Sequence, residues 1–352
     1  MQDIADACGF SRNTVSKVFN GRGSVPAATR EIIIRTAAGL GYNFPAGSTA
    51  DSGSEGSRTI ALFTGNLPSE FHFGTYFMTA FTDQLTRSGY SMKIFEVSAE
   101  ELRVCRLPIQ FDANTVAGII GIELFNRDYL EMLCRLNLPT IMVDGPMDAN
   151  SDVMTCDFIA MENVASVTAL VRTLLSSGAK QLGFVGDRYH CESFFERWIG
   201  FTTGLERSGL AAREEFCILA EDSAPYNQTD WLISRLDEMP YIPDAFICAN
   251  DYLAVHLISA LKKKGLNIPN DVQVTGFDGT LQSTLAEPPL TTVRIPSSDL
   301  GRMAADFLLQ RKRHPEIPFH WTHIKTEPVW RGSTRKQTSV PETEPSSPRE
   351  KK

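Results

Sequence analysis

The segment Ser11–Asn20, SRNTVSKVFN, gathers side chains able to hydrogen-bond both base edges and phosphates. Wound as a helix, it puts Arg12, Asn13, Ser16, Lys17 and Asn20 on one side and Val15, Val18 and Phe19 on the other. The chemistry offered is that of duplex reading: Arg or Lys suits guanine O6/N7, and Asn suits adenine N6/N7. Ser11 is a natural N-cap, its hydroxyl free to accept from the first amides. An ordinary amphipathic surface helix has the same spacing, so the flanks matter. Asp3–Cys8 is helix-like, with Ile4, Ala5 and Cys8 on one face, and Gly9 supplies the residue that most easily takes positive φ. Helix, glycine turn and capped polar-faced helix form the layout of a helix-turn-helix.

A second set of polar side chains stands at the ends of apolar runs. Strands are predicted over 59–64, 92–97, 116–122, 140–143, 181–185, 216–219, 245–249 and 272–276. Between them lie predicted helices at 76–88, 129–136, 162–176, 194–208, 229–239 and 253–264. That alternation implies doubly wound parallel sheets in two lobes, with a ligand cleft at the strands' C-terminal ends. Asn66, the Phe71–Phe73 region with Phe73, Glu123 and Asp144 end strands of the first lobe. Asn250, Asp251 and Asp278 end strands of the second, where Asn and Asp also serve as plain helix caps. His190 beside Cys191 lacks a third ligand nearby and reads as a loop pair rather than a metal site. No Ser/His/Asp order, paired acids or Gly-rich phosphate loop asks for an enzyme or a cofactor.

The chain's 352 residues suggest two or three domains. Seven cysteines, odd in number and without CxxC spacing, argue against a disulfide framework or zinc site and fit a reducing cytoplasm. No apolar run reaches the length of a membrane span, and the first residues lack a signal-peptide h-region, so a cytoplasmic protein is expected. The net charge of −8 is unevenly spread. Residues 1–44 carry Arg12, Lys17, Arg22, Arg30 and Arg35 against Asp3, Asp6 and Glu31. A basic head is the footprint expected where phosphates are met.

IADACGFSRNTVSKVFNG followed by VPAATREIIIRTAAGLGY closely resembles the headpiece of the LacI/GalR family of bacterial transcription regulators. The resemblance implies that Arg12, Asn13 and Lys17 read bases, while Ser11, Thr14, Ser16 and Asn20 contact or frame the backbone. It extends over the body through GFVGD at 183–187, ERWIGF at 196–201, AFICANDYLA at 245–254, VQVTGFDG at 272–279, LTTVRIP at 290–296 and TEPVWRGST at 326–334. There it implies a periplasmic-binding-protein-like pair of lobes crossed three times by the chain. Arg197 would clamp the effector, a guanidinium fork suiting vicinal hydroxyls or a carboxylate. Ser193 joins it by its match to the family. The Arg/Asn/Asp set resembles the sugar-reading members; a purine, which wants more aromatic stacking, comes second.

The family continues past its headpiece with a leucine-bearing hinge helix that wedges into the minor groove. Residues 45–58 here are rich in Gly and Ser and hold no leucine, so the hinge helix is expected to be absent and the heads loosely tethered. The predicted organisation is multidomain. An all-α helix-turn-helix headpiece spans 1–44, a linker 45–58 and a two-lobed effector-binding and dimerisation domain 59–335. Lobe one takes 59–158 plus 293–320, and lobe two 159–292 plus 321–335. A polar, Pro-rich tail fills 336–352. The function implied is a homodimeric regulator, a repressor on a palindromic operator in double-stranded DNA, controlled by a sugar or sugar derivative between the lobes. The competing reading is a cytoplasmic sugar- or nucleobase-binding receptor with little specific DNA binding.

Overall fold

Ile4, Ala5, Val15, Ile33 and Ala37 are buried together and form the small centre of the N-terminal unit. The computed structural model describes residues 2–19, 25–26, 29, 32–33, 36–37, 57–66, 74–147 and 154–335. Two compact units divide between Glu55 and Gly56, inside the expected linker. In the first, α1 (Gln2–Cys8) and α2 (Arg12–Phe19) are joined at Gly9, whose φ of +72° is the left-handed turn that glycine permits. Positions 29, 32–33 and 36–37 are also helical, and Ile33 and Ala37 close the apolar centre.

The second unit holds two sheets. In the first, β1 (Thr59–Thr64), β2 (Ser91–Glu96), β3 (Gly118–Ile122), β4 (Thr140–Val143), β5 (Asp157–Met161) and β10 (Trp321–Ile324) lie in the order β10-β5-β4-β3-β1-β2. Every pairing in it is parallel. In the second, β6 (Leu182–Val185), β7 (Ala245–Cys248), β8 (Gln273–Asp278), β9 (Thr291–Arg294) and β11 (Glu327–Val329) run β11-β9-β8-β7-β6, with only β11 antiparallel. Strands β3, β4 and β5 are buried throughout, which is why they read as continuous apolar runs rather than as alternation.

Helices cover the sheets. Lobe one has α3 (Gly74–Arg87), α4 (Ala99–Arg103), α5 (Arg127–Cys134) and α11 (Ser297–Arg313). Lobe two has α6 (Val164–Ser176), α7 (Glu192–Glu206), α8 (Thr229–Asp237), α9 (Asp251–Lys263) and α10 (Leu281–Leu285). Gly301 lets α11 press onto α3, since a Cβ there would lie 2.4 Å from the Phe77 carbonyl oxygen.

The chain crosses between lobes at 162–163, 295–296 and 325–326. The expected lobe boundaries therefore shift. Residues 159–161 and 321–324 belong to the first sheet, and 293–294 to the second. The strands themselves carry on past the expected break, because the apolar run of β5 has no turn residue within it. The first and third crossovers are tied together: Thr326 Oγ1 donates to the Glu162 carbonyl at 2.7 Å, and Glu162 N donates to the Ile324 carbonyl at 2.8 Å.

One expected strand is largely lost. Residues 214–216 form a 3-10 turn, and of 216–219 only Ile218 bridges to Val185. The Cys217 thiol accepts the Phe184 amide at 3.3 Å, a bond that does not extend the ladder. Asn20, Phe73, most of the linker, where no hinge helix is expected, and the 336–352 tail lie outside the described residues. Among those described, no helix is long and apolar enough to cross a membrane.

Candidate functional site

In the N-terminal unit, the cap anticipated at Ser11 is formed. Its Oγ accepts the Thr14 amide at 3.1 Å and lies 2.8 Å from Thr14 Oγ1, while the Ser11 carbonyl takes the Val15 amide at 3.0 Å. Val15 is fully buried, which fixes the roll of α2 and turns Arg12, Asn13 and Lys17 to solvent. Thr14 and Ser16 flank them, half-buried. Arg12 and Asn13 project from the first turn, the part of a recognition helix that meets base edges in helix-turn-helix docking.

In the second unit, a cavity of about 520 Å³ opens between the lobes at the C-terminal ends of both sheets. Asn66, Glu123 and Asp144 reach it from lobe one, and Ser193, Arg197, Asn250 and Asp278 from lobe two. Seven of the nine expected effector residues thus line one cavity. The backbone aims several of them. Glu123, Asp144 and Asp278 follow or end β3, β4 and β8 with φ of +52°, +61° and +112°, left-handed values that cost non-glycine residues free energy and cluster at functional sites.

Arg197 is 3% exposed and is held through Nε and Nη1. Nε donates to Asn163 Oδ1 at 2.9 Å, Nη1 donates to the Ala249 carbonyl at 2.6 Å, and the guanidinium lies 3.8 Å from the Phe277 ring centroid. Asp278 Oδ1 stands 3.7 Å from Nη1. Burial pushes the Asp278 carboxyl well above the usual range, with Arg197 opposing. Burial also raises Glu123 to about 7, helped by Asp144 and Asp222 and opposed by His190. Asn250 caps α9, accepting the Leu253 amide on Oδ1 at 2.9 Å.

Asp251 is different. Its carboxylate turns away from the cavity, accepting the Thr280 amide at 2.8 Å, Thr280 Oγ1 at 3.0 Å and the Thr292 hydroxyl. It packs under β8 at Gly276, where a Cβ would lie 2.3 Å from Oδ1. Burial raises it to about 6 against those three hydrogen bonds. Asp251 is a structural acid that pins α9 to the β8–α10 and β9 segments. Ser193 lines the cavity, yet its Oγ contacts Met161 Sδ at 3.1 Å and accepts from Asn163 Nδ2 at 3.3 Å.

Phe125, Phe194, Asp222, Tyr226 and Tyr252, which no sequence pattern singled out, also line the cavity, as does His190, expected only as a loop residue. His190 Nδ1 lies 3.5 Å from Asp222 Oδ2, and its ring meets Phe125 across the cleft at 4.9 Å between centroids. The Glu192 amide donates to the Gly145 carbonyl at 2.9 Å, a second bridge between lobes. Among the described residues no group of His, Cys, Asp and Glu is arranged to hold a metal ion. The wall offers many acceptors, few uncommitted donors and several aromatic faces.

Residues 1–43 match the model of bacterial regulatory proteins of the lacI family, and residues 171–334 that of a periplasmic binding protein-like domain. The chain is 26% identical to the HTH-type transcriptional repressor PurR of Glaesserella parasuis serovar 5 (strain SH0165), covering 90% of this chain and 92% of that one. It is also 26% identical to the ribose operon repressor of Bacillus subtilis (strain 168), covering 96% and 99%. Its fold is that of the lac repressor dimer bound to operator and the anti-inducer ONPF, with a TM-score of 0.73 at 24% identity over 94% of this chain and 98% of that one. The structure of the transcriptional regulator CelR–cellobiose complex matches with a TM-score of 0.69 at 22% identity and the same coverage.

Proposed function

This chain is a DNA-binding transcriptional repressor of the LacI family, and on that premise we propose a homodimer that reads a palindromic operator and is controlled by a sugar held between its lobes. The headpiece, 1–44, contacts DNA through Ser11, Arg12, Asn13, Thr14, Ser16, Lys17 and Asn20. Arg12, Asn13 and Lys17 read bases and the remainder frame the backbone. A linker over 45–58 joins it to the effector domain, 59–335, and the protein works in the cytoplasm. The exposure of Arg12, Asn13 and Lys17 on a helix rolled by buried Val15 supports this reading of α2.

In the cavity, Arg197, Asn250, Asp278 and Ser193 face Asn66, Glu123 and Asp144, and Phe73 is a further proposed effector contact. The observation that carries the sugar reading is the surplus of acceptors. Hydroxyl groups donate to carboxylates and the Asn250 side chain, and pyranose faces pack on Phe125, Phe194 and Tyr252. Those same aromatic faces favour a second reading, a nucleobase effector, more strongly than the sequence suggested.

The test is binding of the full chain to duplexes selected from a random pool, at two salt concentrations, with and without ribose, hexoses and nucleobases. A selected palindrome, salt-sensitive affinity and a shift on adding one sugar are expected. Salt-sensitive binding without sequence preference would reduce the chain to an effector receptor with little specific DNA work.

A further inference from the structure

The interlobe cavity gathers four carboxyl groups around a single arginine among its described lining residues. Glu123 and Asp144 line it from lobe one, and Asp222 and Asp278 from lobe two. All four lie close enough for Glu123 and Asp144 to act on Asp278, and for Asp144 and Asp222 to act on Glu123. Arg197 has its Nε on Asn163 and its Nη1 on the Ala249 carbonyl, so it neutralises little beyond Asp278 at 3.7 Å. Asp278 is only 7% exposed, and no described residue donates a hydrogen bond to its carboxylate. Nor does any described residue donate to the Glu123 side chain, which the left-handed backbone at φ +52° turns into the cavity. Two acceptors therefore face the space between the lobes with no hydrogen bond from a described residue. An anion would meet repulsion there, and a neutral polyol would leave these acids to be compensated by protons and by His190 alone.

We infer that the effector is a polyhydroxylated molecule carrying one ammonium group, an amino sugar, with its cation between Glu123 and Asp144 and its hydroxyls toward Asn250 and Asp278. The inference rests on the sugar reading proposed above and narrows it to one charge class. A charge-assisted N–H···O bond is about twice as strong as a neutral one. An ammonium between two carboxylates should thus bind at least roughly tenfold tighter than the hydroxyl it replaces, where tenfold is about 1.4 kcal/mol. The raised proton affinity of Glu123 is the free-state counterpart: without a cation from the ligand, a proton supplies the compensation.

The full chain is titrated by scanning fluorimetry and calorimetry at about pH 7.5. The probes are the 2-amino-2-deoxy and 6-amino-6-deoxy forms of glucose and galactose, each beside its parent hexose, its N-acetyl derivative and the hexose 6-phosphate. One amino sugar is expected to raise Tm and to bind at least tenfold tighter than its parent and N-acetyl forms, with no response to the phosphates. Glu123→Gln, near-isosteric, should erase most of that preference while leaving Tm without ligand at or above that of the parent protein. The inference is overturned if a parent hexose or hexose 6-phosphate binds as tightly as the amine, if no amino sugar moves Tm, or if Glu123→Gln and Asp144→Asn both keep the amine preference. The sugar reading fails separately, when no sugar of any charge binds. The regulator reading fails when the ligand-free chain selects no operator.

Discussion

Arg197 Nε donates to Asn163 Oδ1 at 2.9 Å, which fastens the cavity's guanidinium to the first crossover between the lobes. Asn163 is 1% exposed, and its Nδ2 donates in turn to the Met161 carbonyl at 2.9 Å, Glu196 Oε2 at 2.7 Å and Ser193 Oγ at 3.3 Å. Glu196 Oε1 meets His323 Nε2 at 3.3 Å, on β10 just before the third crossover. The guanidinium that lines the cavity is thus bonded to the segments that cross between the lobes.

Asn163→Ala removes the acceptor for Arg197 Nε and leaves a buried charged donor unsatisfied. A loss of about 1–3 kcal/mol is expected, read from urea unfolding. Effector affinity should fall as the guanidinium loses its fixed plane, while operator affinity of the ligand-free protein stays unchanged. Unaltered effector affinity would show that the Ala249 carbonyl alone holds Arg197 in place.

Asp157 and Arg311 form a buried two-pronged pair at the far side of lobe one, with Nε to Oδ2 at 2.8 Å and Nη2 to Oδ1 at 2.9 Å. Their side chains are 1% and 5% exposed, and Arg311 also donates to the carbonyls of Pro315, Ile317 and Pro318. Asp157→Ala should cost about 3–5 kcal/mol, because it strands a desolvated guanidinium. Adding Arg311→Met to that variant should recover part of the loss. A double variant less stable than Asp157→Ala alone would show that the carbonyl contacts, rather than the charge pair, carry the stabilisation.

Arg197, Asn250 and Asp278 were legible because each sits at or just beyond a strand end, or on the helix that follows one, where ligand groups of open α/β sheets gather. Asp251 obeyed the same rule and went elsewhere. It is the next residue after Asn250, and one step along a helix start turns a side chain by about 100°, toward Thr280 and Thr292 instead of the cavity. Spacing cannot separate such neighbours. Asp222 and Tyr226 lie three and seven residues past the end of the expected strand 216–219, of which only Ile218 bridges, so a loop rather than a strand end carries them to the cavity. His190, which the sequence offers only as a loop pair with Cys191, stands beside Asp222 and Phe125. Lobe membership was read to within a few residues, because neither β5 nor β10 is followed by Gly or Pro where the chain changes sheet.

Arg12 lies on the exposed first turn of α2, and Ser11 caps that turn. Arg12→Ala should weaken binding to the selected operator by about 1–3 kcal/mol and relax preference at one base pair, in a fluorescence anisotropy series of operator variants. Equal loss on random DNA would assign Arg12 to phosphates. Ser11→Ala removes the acceptor of the Thr14 amide and should destabilise the headpiece by about 1 kcal/mol, lowering affinity on every sequence without changing the order of preference.

Glu123 gives a pH signature with a definite sign. Its carboxyl holds its proton up to about 7 in the folded chain because burial, Asp144 and Asp222 disfavour the anion. In the unfolded chain it ionises near the ordinary range of about 4.3. Between those values the folded state binds the extra proton, so stability falls as pH rises from about 5 toward 7 and levels off above the folded value. Asp251, at about 6, and Asp278, displaced the same way, add losses of the same sign. Glu123→Gln removes only the first contribution, being neutral at every pH. The variant's stability relative to the parent should therefore increase from pH 5 to pH 8, measured as the difference in urea midpoints at equal m-value. A difference constant with pH would mean that Glu123 is ionised through that range, with a cation or solvent reaching it in the folded protein. A bound ammonium should have the same effect on the parent protein, flattening its pH dependence as it holds Glu123 in the charged form.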